Sequence, residues 1–374
     1  MDIRYWELTY VRYISLFRIL KMKRQAVPRR VLIKGNEAIA MGAIEAGCRF
    51  YAGYPITPQN EIPEYMAREM PAHGGIFIHA ESEIAAISMV MGAAATGARA
   101  MTSSSSPGIS LKQEAISYMA GSEIPCVIVN VCRNGPGLGG ISASQGDYFQ
   151  ATRGGGHGDY RTFVLAPYSV QENYDLTRLA FDIADRYRNP VLVLSDAVLG
   201  HMKEPIRPRP HKGRAVKKTW TLTGAGDRKA RYLKSLYLDP SVLTKHTWKL
   251  FKKYKRMEND VLFETCMVED AKSIIVAFGS LARILKSSIQ MARSRGLRVG
   301  MIRPISLFPF PSGICMETSQ KINYFVVYEM NTGQMIEDVK LSVKPGTIVE
   351  GCNYPGYIPK PNDLLKEIEK RYPA

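Results

Sequence analysis

Between Val31 and about Gly200 the sequence alternates helical segments with short apolar runs, and this alternation constrains the fold more than any other feature. Such a succession is the pattern of an α/β layered domain, an open parallel sheet with helices on its faces. Gly35 to Gly47 is Ala-rich and helical, and Cys48 to Gly53 is a strand. Gln59 to Met70 predicts a helix through Ile62, Tyr65 and Met66, and Ile76 to Ile78 a short strand. Arg99 to Thr102 reads as a strand running into Ser103-Ser104-Ser105-Ser106, with Pro107 opening a helix behind its N-cap Ser106. Pro125 to Val131 is the continuous apolar run of a buried parallel strand. A helix from Val170 to Arg188 and a strand from Val191 to Leu194 close the unit. Thr57, the serine loop and Arg133 then fall at carboxyl ends of strands, where open α/β sheets bind ligands.

Two stretches in this unit carry chemistry. Tyr54-Pro55-Ile56-Thr57-Pro58 reads as the loop after a strand, with Pro58 pre-set for the first turn of the next helix. Glu81-Ser82-Glu83 opens a helix, Ile84 to Gly97, built mainly of Ala, Gly, Met and Ile. A carboxylate beside such a face sits where water is scarce, which makes Glu83 the first candidate. Glu81 and Glu83 also suit a plainer role, complementing the helix dipole in its first turn. Arg133 ends the buried strand, where its planar fork suits a carboxylate held by two hydrogen bonds. An ordinary salt bridge would use the same residue.

The glycine-rich stretches are weaker signals. Gly135 to Gly140 follows a strand but opens no periodic helix, so the dinucleotide fingerprint lacks its context, and no P-loop pattern occurs. Close backbone approach explains these glycines, as does a loop folding over a substrate or a partner subunit. His157, within Gly154 to Gly158, reads as a loop histidine.

Leu199 to about Val268 is a different text, rich in Pro, Lys and Arg, helical from Lys245 to Tyr254, and reads as a connecting arm. A second α/β unit follows. Its strands are Ser273 to Phe278, Leu297 to Ile302 and Tyr324 to Tyr328, with a helix from Ala282 to Ser294 and a last long helix after Gln334. The expected division is an N-terminal extension (1–30), an α/β domain (31–200), a basic arm (201–268) and a second α/β domain (269–374).

At 374 residues the chain has room for two or three domains, and no run approaches the ~18 apolar residues of a membrane span. The net charge of +16 concentrates before residue 30 and between Lys203 and Arg256, which a basic surface facing an acidic partner explains as well as nucleic acid does. Six widely spaced cysteines without a C-x-x-C offer neither zinc nor iron–sulfur ligands. They imply no disulfide framework either, which fits a reducing, cytoplasmic compartment. Residues 1–24 lack the apolar core of a signal peptide, and Met22 is the expected translation start.

Taken together, the motifs resemble the α subunit of 2-oxoacid:ferredoxin oxidoreductases. They are YPITP, the E-S-E-x-A-A helix start, Arg133-Asn-Gly-Pro-Gly-Leu-Gly, Gln145 to Arg161, Arg303-Pro-Ile-Ser-Leu-Phe-Pro and Glu329-Met-Asn-Thr-Gly-Gln. The glycine pattern is most similar to the branched-chain (2-oxoisovalerate) branch, and the resemblance runs from about Gly35 to Asp363. It departs at the N-terminal extension and at Glu350-Gly-Cys-Asn-Tyr-Pro, where that family is usually glycine- and arginine-rich.

The resemblance implies a thiamine-diphosphate pyrimidine-binding, transketolase-like domain followed by a transketolase C-terminal-like domain. It implies that Glu83 bonds the aminopyrimidine ring, that Pro55 and Ile56 contact the cofactor, and that Thr57 and Arg133 bind the 2-oxoacid. No G-D-G with paired downstream asparagines occurs, so this chain resembles the pyrimidine half alone, with no metal ligands of its own. The resemblance places Mg2+ and the diphosphate on a β subunit, with iron–sulfur clusters on partner subunits. It also implies γ and ferredoxin-like δ subunits, ferredoxin as electron acceptor and coenzyme A as co-substrate, with no nucleic acid and no membrane. Two alternatives stay open: a subunit of a transketolase or 2-oxoacid dehydrogenase, and a non-catalytic basic scaffold or nucleic-acid-binding protein.

Overall fold

The computed structural model describes residues 30–210 and 216–373. The N-terminal extension and the expected start at Met22 lie outside the described residues. In chain order the first elements are β1 (Val31–Lys34), α1 (Gly35–Glu45), β2 (Cys48–Gly53), α2 (Glu61–Glu69), β3 (Ile76–His79) and α3 (Glu83–Ala95). There follow β4 (Arg99–Ser104), α4 (Ser106–Gly121), β5 (Val127–Cys132), α5 (Tyr148–Arg153) and β6 (Phe163–Leu165). Next come α6 (Val170–Tyr187), β7 (Val191–Asp196), α7 (Ala197–His201) and β8 (Lys203–Ile206). The second half has α8 (Pro240–Met257), β9 (Phe263–Cys266), β10 (Ser273–Val276), α9 (Gly279–Ser294), β11 (Val299–Pro304) and β12 (Ser306–Phe308). It ends with α10 (Ser312–Ser319), β13 (Tyr324–Glu329), α11 (Met335–Leu341), β14 (Ile348–Asn353) and α12 (Pro361–Arg371).

The larger sheet has seven strands in the order β12-β6-β7-β5-β4-β2-β3. All of its pairings except β12 with β6 are parallel. At its centre β5 is buried at all six positions, so its run of Val, Ile and Cys meets apolar neighbours on both faces. The second sheet, in the order β14-β13-β10-β11-β9, is parallel but for the antiparallel edge strand β9. The chain is thus an α/β protein. No helix among the described residues is long and apolar enough to cross a membrane.

The two sheets interlock. Between β11 and β13 of the second sheet, β12 crosses back to form the far edge of the first, pairing Ser306 with Leu165. At this crossover the buried Arg303 forms ion pairs with Glu172 of α6 (2.8 Å) and Glu264 of β9 (2.7 Å). A second latch lies at Gln145. Its amide side chain accepts from Met330 N (3.0 Å) and donates to Phe278 O (2.8 Å), and Asn331 donates to its carbonyl (2.9 Å). The buried Glu329 carboxylate accepts the N–H groups of Gln334, Met335 and Ile336, the start of α11. Burial pushes its carboxyl above the usual range despite those bonds.

Three expectations are corrected. Pro58 follows a cis peptide bond and is not the first residue of the next helix, which begins three residues later at Glu61. The N-cap of α4 is Ser105, with Ser106 already helical. The segment after Gln334 is only the seven-residue α11, and the mixed sequence beyond it makes a further strand and helix, β14 and α12.

Candidate active site

Four adjacent parallel strands, in the order β5-β4-β2-β3, deliver the candidate residues to one edge of the larger sheet. The loop after β2 carries Pro55, Ile56 and Thr57, and the turn after β3 carries Glu83. The serine loop follows β4, and Arg133 follows β5.

The 54–60 loop is held from beneath by buried polar side chains. Asn36 donates to Pro58 O (2.8 Å), and Gln59 bonds Ser103, which also bonds Tyr51 (2.6 Å). Pro55 and Thr57 are left exposed and Ile56 half-buried, so these three residues form the upper surface of a fixed loop.

Glu83 is the first residue of α3 and only 6% exposed. Ser82 does the capping, accepting from Ala85 N at 3.2 Å. The carboxylate of Glu83 is therefore spared that role, and among the described residues its hydrogen bond is a long one from Ser104 Oγ (3.4 Å). It keeps acceptor capacity in a buried setting, whereas Glu81 is exposed. Gly108, in the first turn of α4, makes room for it: a Cβ there would collide with Glu83 Oε1 and Ser104 Oγ. Behind it lies Lys112, fully buried, whose ammonium donates to the Glu83 carbonyl (3.2 Å) and to Thr102 Oγ1 (3.1 Å). Burial pushes this lysine down to about 8, partly opposed by the charge of Glu83. Gly108 and Lys112 are not singled out by the sequence, where a glycine and a lysine in a helix carry no signal of what lies opposite.

Arg133 is 7% exposed and bridges two loops. One terminal nitrogen donates to Thr57 O at 3.0 Å and the other to Leu138 O, in the glycine-rich loop, at 2.9 Å. Its Nε is buried with no hydrogen-bond partner among the described residues. The salt bridge expected as the plainer role is not formed with any described residue. The glycines earn their place by proximity. Gly139 sits at φ +57 against the Asn134 carbonyl, and side chains at Gly155 or Gly156 would strike Gln113 and Ser117 of α4. His157 is exposed. All six cysteines are free thiols, five of them buried.

A parallel α/β sheet that gathers a spare buried carboxylate, a serine loop and a loop-bridging arginine at its carboxyl edge has the plan of a cofactor-binding enzyme domain. A family model described as pyruvate flavodoxin/ferredoxin oxidoreductase, thiamine diphosphate-binding, matches residues 41–259. Pyruvate:ferredoxin oxidoreductase core domain II matches residues 271–363. The chain belongs to this 2-oxoacid:ferredoxin oxidoreductase family.

It is 50% identical over 313 residues to ketoisovalerate oxidoreductase subunit VorB of Methanothermobacter thermautotrophicus, covering 83% of this chain and 89% of that one. It is 42% identical to 2-oxoglutarate synthase subunit KorA of Archaeoglobus fulgidus, covering 90% and 98%. Among solved structures, 2-oxoglutarate:ferredoxin oxidoreductase from Magnetococcus marinus, with 2-oxoglutarate, coenzyme A and succinyl-CoA bound, superposes with a TM-score of 0.83 at 28% identity. The match covers 92% of this chain, which spans 66% of that longer one. A split-gene transketolase shares the fold alone, at a TM-score of 0.55 and 12% identity.

Proposed function

We propose that this chain is the α subunit of a heteromeric complex that oxidatively decarboxylates a branched-chain 2-oxoacid to acyl-CoA and carbon dioxide, reducing ferredoxin. The branched-chain assignment is supported by the 50% identity to a ketoisovalerate oxidoreductase subunit, against 42% to a 2-oxoglutarate synthase subunit. The observation that carries the catalytic reading is the Glu83 carboxylate, buried, spared from capping and seated over Gly108. A carboxylate with unused acceptor capacity fits an N–H donor such as the pyrimidine ring of thiamine diphosphate.

When bound, thiamine diphosphate supplies the nucleophilic carbon that takes part in decarboxylation. Glu83 would hold a proton at the pyrimidine nitrogen, and Pro55 and Ile56 would help hold the cofactor. Arg133 would hold the 2-oxoacid carboxylate through guanidinium N–H groups not used on Thr57 O and Leu138 O, with Thr57 as the neighbouring contact. Within this reading 31–200 is the pyrimidine-binding unit, 201–268 the arm and 269–374 the transketolase C-terminal-like unit.

Partner chains complete the site. The outer face of α3 is apolar and uncovered beside Glu83, where Ile84 is 54% exposed and Leu111 on the adjoining α4 is 51% exposed. Such a face suits the β subunit that brings the diphosphate and Mg2+. Clusters on γ and ferredoxin-like δ subunits would carry electrons to ferredoxin and coenzyme A would take the acyl group, and the free thiols fit a cytoplasmic complex. The test is reduction of a low-potential dye by the complex that co-purifies with this chain, supplied with thiamine diphosphate, magnesium and coenzyme A and offered a panel of 2-oxoacids. Activity that needs all three additions and is strongest with 2-oxoisovalerate is expected. Absence of cofactor-dependent activity in a complex containing cluster-bearing chains would overturn the reading.

A further inference from the structure

The basic segment from Val216 to Met257 takes no part in the site. It holds twelve Lys and Arg against two Asp, a net +10 of the chain's +16. The segment is fastened down. Leu222 N bonds Ala95 O (2.9 Å), Lys218 bonds Gly97 O (3.0 Å) and pairs with Asp185 (2.7 Å), and His246 bonds Gly121 O (2.7 Å). Leu250, Tyr254 and Met257 of α8 are buried in the core. It thus sits across the C-terminal ends of α3, α4 and α6, where helix dipoles favour cations, and part of its charge is used there.

The remainder has no such use. Lys229, Lys234, Lys245 and Lys252 form no ion pair with another described residue. On the same segment Tyr232 (80%), Leu236, Leu238 (89%), Leu243, Trp248 and Phe251 are exposed. Trp248 and Phe251 pack edge to face, 5.6 Å apart, on the outer side of α8. Large apolar side chains gathered among unpaired lysines on a fixed platform mark an interaction surface.

We infer that this face docks an acidic protein subunit whose apolar patch is rimmed by carboxylates. The charge is complementary to such a partner, and the exposed leucines give it a desolvated centre. Those leucines serve neither phosphate contacts nor base stacking, which disfavours nucleic acid. A second copy of this chain would oppose one +10 surface to another. The platform lies at the far end of α3 from Glu83, about 20 Å along the helix, so this partner leaves the Glu83 edge free.

The inference rests on the chain being a complex subunit and is independent of the role of Glu83. Zero-length carbodiimide cross-linking of the intact complex tests it. At least one of Lys229, Lys234, Lys245 and Lys252 is expected to join an Asp or Glu of a different, net-acidic chain. The double variant Trp248→Ser, Phe251→Ser is expected to weaken that chain's affinity about tenfold, as is raising salt from about 50 to 300 mM, with the thermal midpoint retained because both rings are exposed. A complex that cross-links elsewhere while these lysines join no other chain, or only another copy of this one, overturns the docking inference alone. So do an affinity within about twofold in the double variant and competition for the face by a duplex or single-stranded oligonucleotide. A chain that assembles with no other overturns the subunit reading as well.

Discussion

Arg133 reaches back 76 residues to donate a 3.0 Å hydrogen bond to the carbonyl of Thr57. Its second terminal nitrogen holds Leu138 O, so one planar fork sets the YPITP loop and the glycine-rich loop relative to each other. These two bonds use two of its five N–H donors, and Nε–H is buried with no partner among the described residues. The arginine thus positions the two loops, and under the proposed function it also offers a charged donor to what lies between them.

Arg133→Ala is expected to raise the KM for the 2-oxoacid on the order of 10- to 100-fold, with a smaller loss of kcat. Arg133→Lys recovers little, because an ammonium cannot span two carbonyls and a carboxylate. Steady-state kinetics of the complex checks this, and an unchanged KM removes the carboxylate role.

Gly108→Ala places a methyl group where Glu83 Oε1 and Ser104 Oγ now sit. The carboxylate must move, and displacement of a reacting group by about 1 Å costs on the order of 100-fold in turnover. The variant is expected to assemble normally and lose kcat by that order. Retained kcat would mean that the position of Glu83 is not critical.

Lys112 gives a pH signature. Its folded value, pushed down to about 8 from 10.5, means that between those two pH values the unfolded chain binds a proton that the folded chain has released. Stability from this group therefore rises with pH through the window from about 8 to 10.5. Relative to Lys112→Met, the parent is expected to gain about 3 kcal/mol over that window, read from urea unfolding at stepped pH. A constant difference between the two proteins would contradict the buried, proton-shedding lysine.

Gln145→Ala removes the side chain that joins Met330 N and Phe278 O, leaving both buried groups unpaired. Each costs about 1–3 kcal/mol, so a loss of about 2–6 kcal/mol in unfolding free energy is expected. An unchanged urea midpoint would mean that the latch between the sheets is not formed as described.

The first sheet was legible because its strands are buried on both faces and read as apolar runs: β2 is found where Cys48 to Gly53 predicts it, and β5 within two residues. The edges were not. β12 is three residues long and completes a sheet whose other strands lie more than a hundred positions earlier, so nothing local marks it. β14 is only partly buried and its sequence, Ile-Val-Glu-Gly-Cys-Asn, does not alternate cleanly. At the site, the places of Thr57 and Arg133 after parallel strands were legible from the succession of elements, whereas their pairing was implied only by the family resemblance. Lys112 was not legible, since a helical lysine normally faces water and its burial follows only from the packing of α4 on α3.

The most direct measurement is turnover of the assembled complex carrying Glu83→Gln, by dye or ferredoxin reduction with the preferred 2-oxoacid. Glutamine keeps the shape and removes the proton-holding carboxylate, so a loss on the order of 100- to 10,000-fold is expected, with subunit composition unchanged by size exclusion. Near-normal turnover in an intact complex would show that the buried carboxylate between Ser104 and Gly108 is not the catalytic group.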